Sequence, residues 1–210
     1  MAPTIRECAD RSQNAFGADL IEALTACTEL INTGRSPAGE GLRGVADVAS
    51  FGRRYAFAGR PAGSADVARL RAHRARLDAI AAACEAGGDE AAIAMLNALL
   101  TETGAVPQIV AHDGRGPHIH VSRPAAPLAD RMAAHFAMGL AGLVVAGESR
   151  RIRCCASPTC QAVFVDLSRN RSRRYCDSRT CGNRLHVAAY RARKLAGGRP
   201  SRISATSAAN

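Results

Sequence analysis

Apolar residues recur at steps of three and four through the first hundred positions of the chain, with polar residues filling the other side. Leu20, Ile21, Leu24, Cys27, Leu30 and Ile31 form one such stripe, which predicts an amphipathic helix over residues 15–33 that stops near Gly34. The Gly- and Pro-containing stretch 34–44 reads as a loop. Residues 45–58 read as a short helix closed by Gly59-Arg60-Pro61. Ser64 suits the N-cap of a long helix over roughly 65–86, with Val67, Leu70, Leu77 and Ile80 on one face and Gly87-Gly88 as its stop. A further helix over 89–102 presents Ile93, Leu96, Asn97 and Leu100.

The period then changes. Residues 106–111 and 118–122 flank Asp113-Gly-Arg-Gly-Pro117, the pattern of a β-hairpin around a glycine-rich turn. Pro124 and Pro127 end it, and residues 128–146 form an apolar helix that stops at Gly147. Farther on, residues 162–166 (Ala-Val-Phe-Val-Asp) read as a short strand, with residues 173–176 as its return. Ser178 suits the N-cap of a last helix reaching about Leu195, and residues 197–210 carry no core pattern, which predicts a disordered tail. The expected fold class is mainly α. A helical unit with one β-hairpin, residues 1–149, precedes a small hairpin-plus-helix unit of treble-clef type, residues 150–196.

Composition supports helices: Trp is absent, aromatics are 4% of the chain, and the apolar content is largely Ala, Leu and Val. Charge divides the chain unevenly. Residues 150–210 hold 14 of the 28 basic side chains but 2 of the 18 acidic ones, a local +12 against −2 for residues 1–149. Such a block beside a nearly neutral body is the electrostatic footprint of a polyanion binder. The charged start, with Arg6, Glu7, Asp10 and Arg11, lacks the apolar run of a signal peptide, and the apolar stretch near residues 138–146 is too short for a membrane span. The expectation is a cytoplasmic protein without membrane contact. There, eight cysteines favour metal over a disulfide framework.

Two thiol pairs, Cys155 with Cys160 and Cys176 with Cys181, repeat a gap of four residues and are joined by a loop of fifteen. Each pair can hold one metal from a single turn, and the loop brings the turns together. Cys155 is preferred to its neighbour Cys154 because it makes the two gaps equal. Four thiolates leave no open coordination position, so the expected cofactor is one structural zinc ion. Around it, Arg169, Arg171, Arg173 and Arg174 crowd one loop, while Arg184, Arg191 and Lys194 lie along the last helix, a set suited to nucleic-acid phosphates.

Cys155-Ala-Ser-Pro-Thr-Cys160, Phe164-Val-Asp-Leu-Ser-Arg-Asn-Arg-Ser-Arg-Arg-Tyr-Cys176 and Cys181-Gly-Asn-Arg184 together resemble the CGNR zinc finger over residues 150–194. Leu96-Asn97 and His118-Ile-His120 resemble the helical domain that precedes this finger in bacterial proteins held to be stress-induced transcription regulators. The resemblance implies zinc on Cys155, Cys160, Cys176 and Cys181, and binding of double-stranded DNA through the finger. The leading expectation adds a helical body that senses a small effector or mediates association, for example as a homodimer. Two rival readings stay open: an RNA-binding zinc protein, and a body that binds or turns over a small molecule with the finger as a docking element. No nucleophile motif, phosphate loop or dinucleotide fingerprint is present, so no enzyme is expected. His118 and His120 share one face of their strand, as two ligands of a second metal or small-molecule site would.

Overall fold

A computed structural model describes residues 17–111 and 116–183, together with 187, 190–192 and 194. Cys8, His112, Asp113, Arg184, His186 and the expected tail at 197–210 lie outside the described residues.

The architecture is mainly helical with two small antiparallel hairpins. Helix α1 (Ala18–Asn32) buries Leu24, Cys27, Leu30 and Ile31, the stripe that predicted it. Helix α2 (Val45–Arg54) is four residues shorter than its polar pattern suggested. Ala56 adopts φ 53°, while Ala56 N–H donates to the carbonyl of Arg53 and Phe57 N–H to that of Gly52. This left-handed stop is usually made by glycine, and an alanine there gives no sequence signal.

Helix α3 (Ser64–Ala86) starts one residue earlier than expected, with Gly63 rather than Ser64 at the cap. Asp66 supplies the capping group: one carboxylate oxygen accepts the Gly63 N–H at 2.8 Å and the other the Ala129 N–H at 3.0 Å. A single buried carboxylate thus joins the starts of two helices. Gly87, at φ 77°, ends α3. Helix α4 (Asp89–Glu102) buries Ala92, Leu96 and Leu99, whereas Ile93 is 45% exposed. The buried face is therefore rotated from the expected one, toward Ala92 and Leu99.

Helix α5 (Leu128–Val145) lies at the centre, packed against α1, α3 and α4, with Met132, Phe136, Leu140 and Leu143 fully buried. By length and composition alone it could cross a membrane, but most of it is covered by the surrounding protein. Strands β1 (Gln108–Val110) and β2 (His118–His120) pair as expected, with Ile109 opposite Ile119, although the ladder is shorter than the pattern implied.

A short 3-10 turn, Ser149–Arg151, leads into β3 (Ile152–Cys154), which pairs antiparallel with β4 (Val163–Val165). The expected partner of β4 was residues 173–176, and this is corrected: no strand is assigned there among the described residues. Ile152 pairs with Val165, and Ile152, Val163 and Val165 join the same buried cluster as the helices. The apolar face of this pair is covered by α1 and α3. The segment Arg173-Arg-Tyr-Cys176 has no such face to bury. The last described elements are one π-helical turn, Ser178–Gly182, and helical backbone at 183, 187, 190–192 and 194.

Candidate metal centre and basic surface

Strands β3 and β4 present the first knuckle in the loop between them. Cys155 N–H donates to the carbonyl of Ala162, and Cys160 N–H to that of Ser157, which turns both thiols to one side. Ala156 N–H donates to the carbonyl of Arg174 at 2.9 Å, so the knuckle itself holds the returning segment that carries Cys176. Cys181 follows within the turn Ser178–Gly182. A Cβ at Gly182 would stand 3.3 Å from the Tyr175 ring, so glycine lets this turn lie against that ring.

The four sulfurs of Cys155, Cys160, Cys176 and Cys181 all lie within 4.8 Å of one another. Cys160 and Cys176 sulfurs are 3.7 Å apart, and Cys176 and Cys181 sulfurs 3.8 Å. Zinc–sulfur bonds of about 2.3 Å in a tetrahedron set the sulfurs roughly 3.8 Å apart. A disulfide would need about 2.05 Å. The site fits one zinc ion held by four thiolates with no position left for substrate, which makes it structural.

The thiols differ in how readily they ionise. Burial opposes ionisation at Cys155, but hydrogen bonds from the N–H groups of Cys176 and Ser157 outweigh it and lower its value. Burial raises Cys176 well above the ordinary thiol range, and the neighbouring thiols raise it further. Four sulfurs this close need a cation to share their charge. Cys154 is not one of the four. It is half-buried, its sulfur 3.3 Å from Nη1 of Arg35 and its N–H donating to Glu85 at 2.7 Å.

The predicted arginines separate into two groups. Arg169 and Arg174 are exposed, as are Arg191 and Lys194, while Arg184 lies outside the described residues. Arg171 is exposed but pairs with Glu148 at 2.7 Å. Arg173 is turned back on the finger: its guanidinium donates to the carbonyls of Tyr175 and Cys176 and lies 5.0 Å from the Phe164 ring centre. Neither offers a fully free cation.

Sequence reasoning missed the residues that hold this surface in place. Asp166 is fully buried and accepts from the N–H and hydroxyl of Ser168, the N–H of Arg173 and the guanidinium of Arg153. Its signal was its rarity, since Asp166 and Asp177 are the two acids of the basic stretch 150–210. Asn32, at the end of α1, makes two 2.8 Å hydrogen bonds to the backbone N–H and carbonyl of Val163, like an added strand residue. Arg35 pairs with Asp78 at 2.6 Å and donates to the carbonyl of Gln161 at 2.8 Å. Together they fasten the finger's hairpin to α1 and α3.

Residues 151–194 match the family model of the CGNR zinc finger, and residues 24–147 match the model described as "Putative stress-induced transcription regulator". The chain belongs to this family. Its members' finger sequence here runs along the knuckle, the Asp166 loop and the Cys181 turn, while the helical match spans α1 to α5. No curated protein matches the chain.

In the family's helical part, α1, the α2–α3 connection, β2 and α5 line a half-open cavity of about 810 Å³. His118 and His120, the pair expected as a second site, line it together with His135, Tyr55 and Arg131. Burial lowers the pKa of His135, partly offset by Glu22 and Asp19 on the facing helix. Arg131 donates to the carbonyls of Pro124 and Arg60, fastening the chain segments at the cavity's edge.

Proposed function

We propose that this protein is a bacterial, cytoplasmic transcription regulator that binds double-stranded DNA through its zinc finger, with the helical body as the sensing part. The observation that carries the reading is the placement of charge. Residues 150–210 hold a net +12, and Arg169, Arg174, Arg191 and Lys194 of that stretch stand exposed. Zinc acts here by holding the knuckle, loop and final turn in one shape, which fixes the backbone that carries Arg169 and Arg174. Their contacts would fall on phosphates, which supply affinity and strong salt dependence. The cavity in the body supports the sensing role, and the reading assigns no catalytic step to any residue.

The test is a gel shift of the zinc-loaded full chain on duplex DNA, with structured RNA as competitor, across a series of salt concentrations. We expect duplex DNA to be retained. Replacing Arg169 and Arg174 together with Ala should weaken binding on all sequences and flatten the logarithmic salt slope by about 2. Preferential capture by RNA, or a double variant that binds DNA as the parent does, would overturn the proposal.

A further inference from the structure

The arginine loop contains a β-turn, Ser168–Arg171, closed by the Arg171 N–H donating to the Ser168 carbonyl at 3.2 Å. Both arms of this turn are fastened. Asp166 accepts the N–H groups of Ser168 and Arg173, and the Ser168 hydroxyl oxygen accepts the Ser172 N–H at 3.1 Å. Arg153 donates to the carbonyls of Arg171 at 3.1 Å and Arg173 at 3.0 Å. The central residues of the turn, Arg169 and Asn170, are exposed, and neither side chain has a hydrogen-bond or ion-pair partner among the described residues.

Asparagine occupies turns for two common structural reasons: it tolerates left-handed backbone, or its side chain bonds a backbone group two residues on. Neither applies at Asn170. The left-handed residue of this loop is Arg171, at φ 51°, one position later. The Asn170 amide holds no backbone group among the described residues. Being neutral, it adds nothing to the charge that draws a polyanion. What it does carry, on a turn held in one shape, is a donor and an acceptor side by side.

We infer that Asn170 reads a base edge in the major groove of duplex DNA, with its amide Nδ2 donating to N7 and its Oδ1 accepting from N6 of one adenine. In that groove adenine places a donor at N6 beside an acceptor at N7, the complement of a carboxamide. On A·T pairs the minor groove shows acceptors alone, which would leave Oδ1 unmatched. The inference rests on the DNA-binding reading above and divides its labour. Arg169 and Arg174 hold phosphates, which set affinity and register, while the neutral amide between them specifies. The rival is a turn residue that touches no base.

The zinc-loaded full chain selects sites from a random duplex library. Parent and Asn170→Ala, matched in zinc content by mass, are then measured on the selected site and on each single-pair change. We expect one A·T pair whose replacement by G·C costs the parent roughly tenfold and costs Asn170→Ala nothing. Preferences at the other pairs, and the logarithmic salt slope, should be the same in both proteins because the amide is uncharged. A variant that keeps every preference of the parent, or that weakens on all sequences equally, overturns the inference and leaves DNA binding standing. So does a parent with no preference at any A·T pair. A chain that retains no duplex overturns the DNA-binding reading and this inference with it.

Discussion

Asp166 organises the arginine loop through one carboxylate. It gathers the Ser168 N–H and hydroxyl, the Arg173 N–H and the Arg153 guanidinium in a fully buried position, so every lone pair is engaged. Burial works against its ionisation, but the Ser168 and Arg173 hydrogen bonds and the Arg153 charge outweigh it and hold the carboxyl below its ordinary value of 3.8. A depressed carboxyl contributes stability that is complete above its unfolded value and is lost as pH falls through the folded one. Asp166→Ala should therefore cost about 3 kcal/mol in urea unfolding near neutral pH, and the difference from the parent should shrink in acid below the ordinary value. A variant as stable as the parent at neutral pH would show that the loop does not depend on this carboxylate. Asn32 and Ala56 teach the same lesson. One acts as a strand edge and the other as a helix-ending glycine, and neither residue type announces that role.

At the scale of elements, the finger combines parts held by different forces. The β3–β4 pair is anchored by Ile152, Val163 and Val165 in the common core and by Asn32 on its edge. Among the described residues, the knuckle at 155–160 and the segment from 173 to 182 hold no comparable apolar anchor, and the four thiols gather them. Chelating the zinc should therefore release these loops while sparing the hairpin. In hydrogen exchange, the amides of Cys160 and Gly182 should lose protection after chelation, whereas Val163 should keep most of its own. Equal loss across the hairpin and loops would show that zinc, not burial, holds β3 to β4. The element patterns explain how much of this could be read in advance. Helices α1, α3 and α5 followed from their stripes and glycine stops because those signals are local. The pairing of β4 did not, since residues 152–154 and 173–176 are both short segments with strand-compatible patterns. Ile152 distinguishes the first of them, and it counts only because α1 and α3 cover that face.

For the whole molecule, a continuous core matters more than the break in charge near residue 150. The chain changes from a slightly acidic body to a strongly basic end there, yet the buried cluster runs across it through Ile152. Arg35, Glu85 and Asn32 add hydrogen bonds across the same line. The helical body and β3–β4 should thus unfold together in the zinc-loaded protein, seen as a single calorimetric transition with matching fluorescence and circular-dichroism midpoints. Two separated transitions would show that the hairpin's packing on the body is not cooperative. Such a join also gives the cavity a physical link to the finger, because α1 lines the cavity with Glu22 and Ala23 and ends at Asn32 on β4.

The amino-acid sequence by itself determined what spacing and charge can encode. These were the four zinc ligands, the helix-rich class, the basic end and the family, because each depends on residues close together in the chain. Tertiary structure decided which arginines remain free, which strand β4 pairs with, and where α4 turns its buried face. It also formed a half-open cavity lined by His118 and His120. Each of these depends on which distant surface covers a residue, and burial of that kind leaves no periodic trace in the sequence.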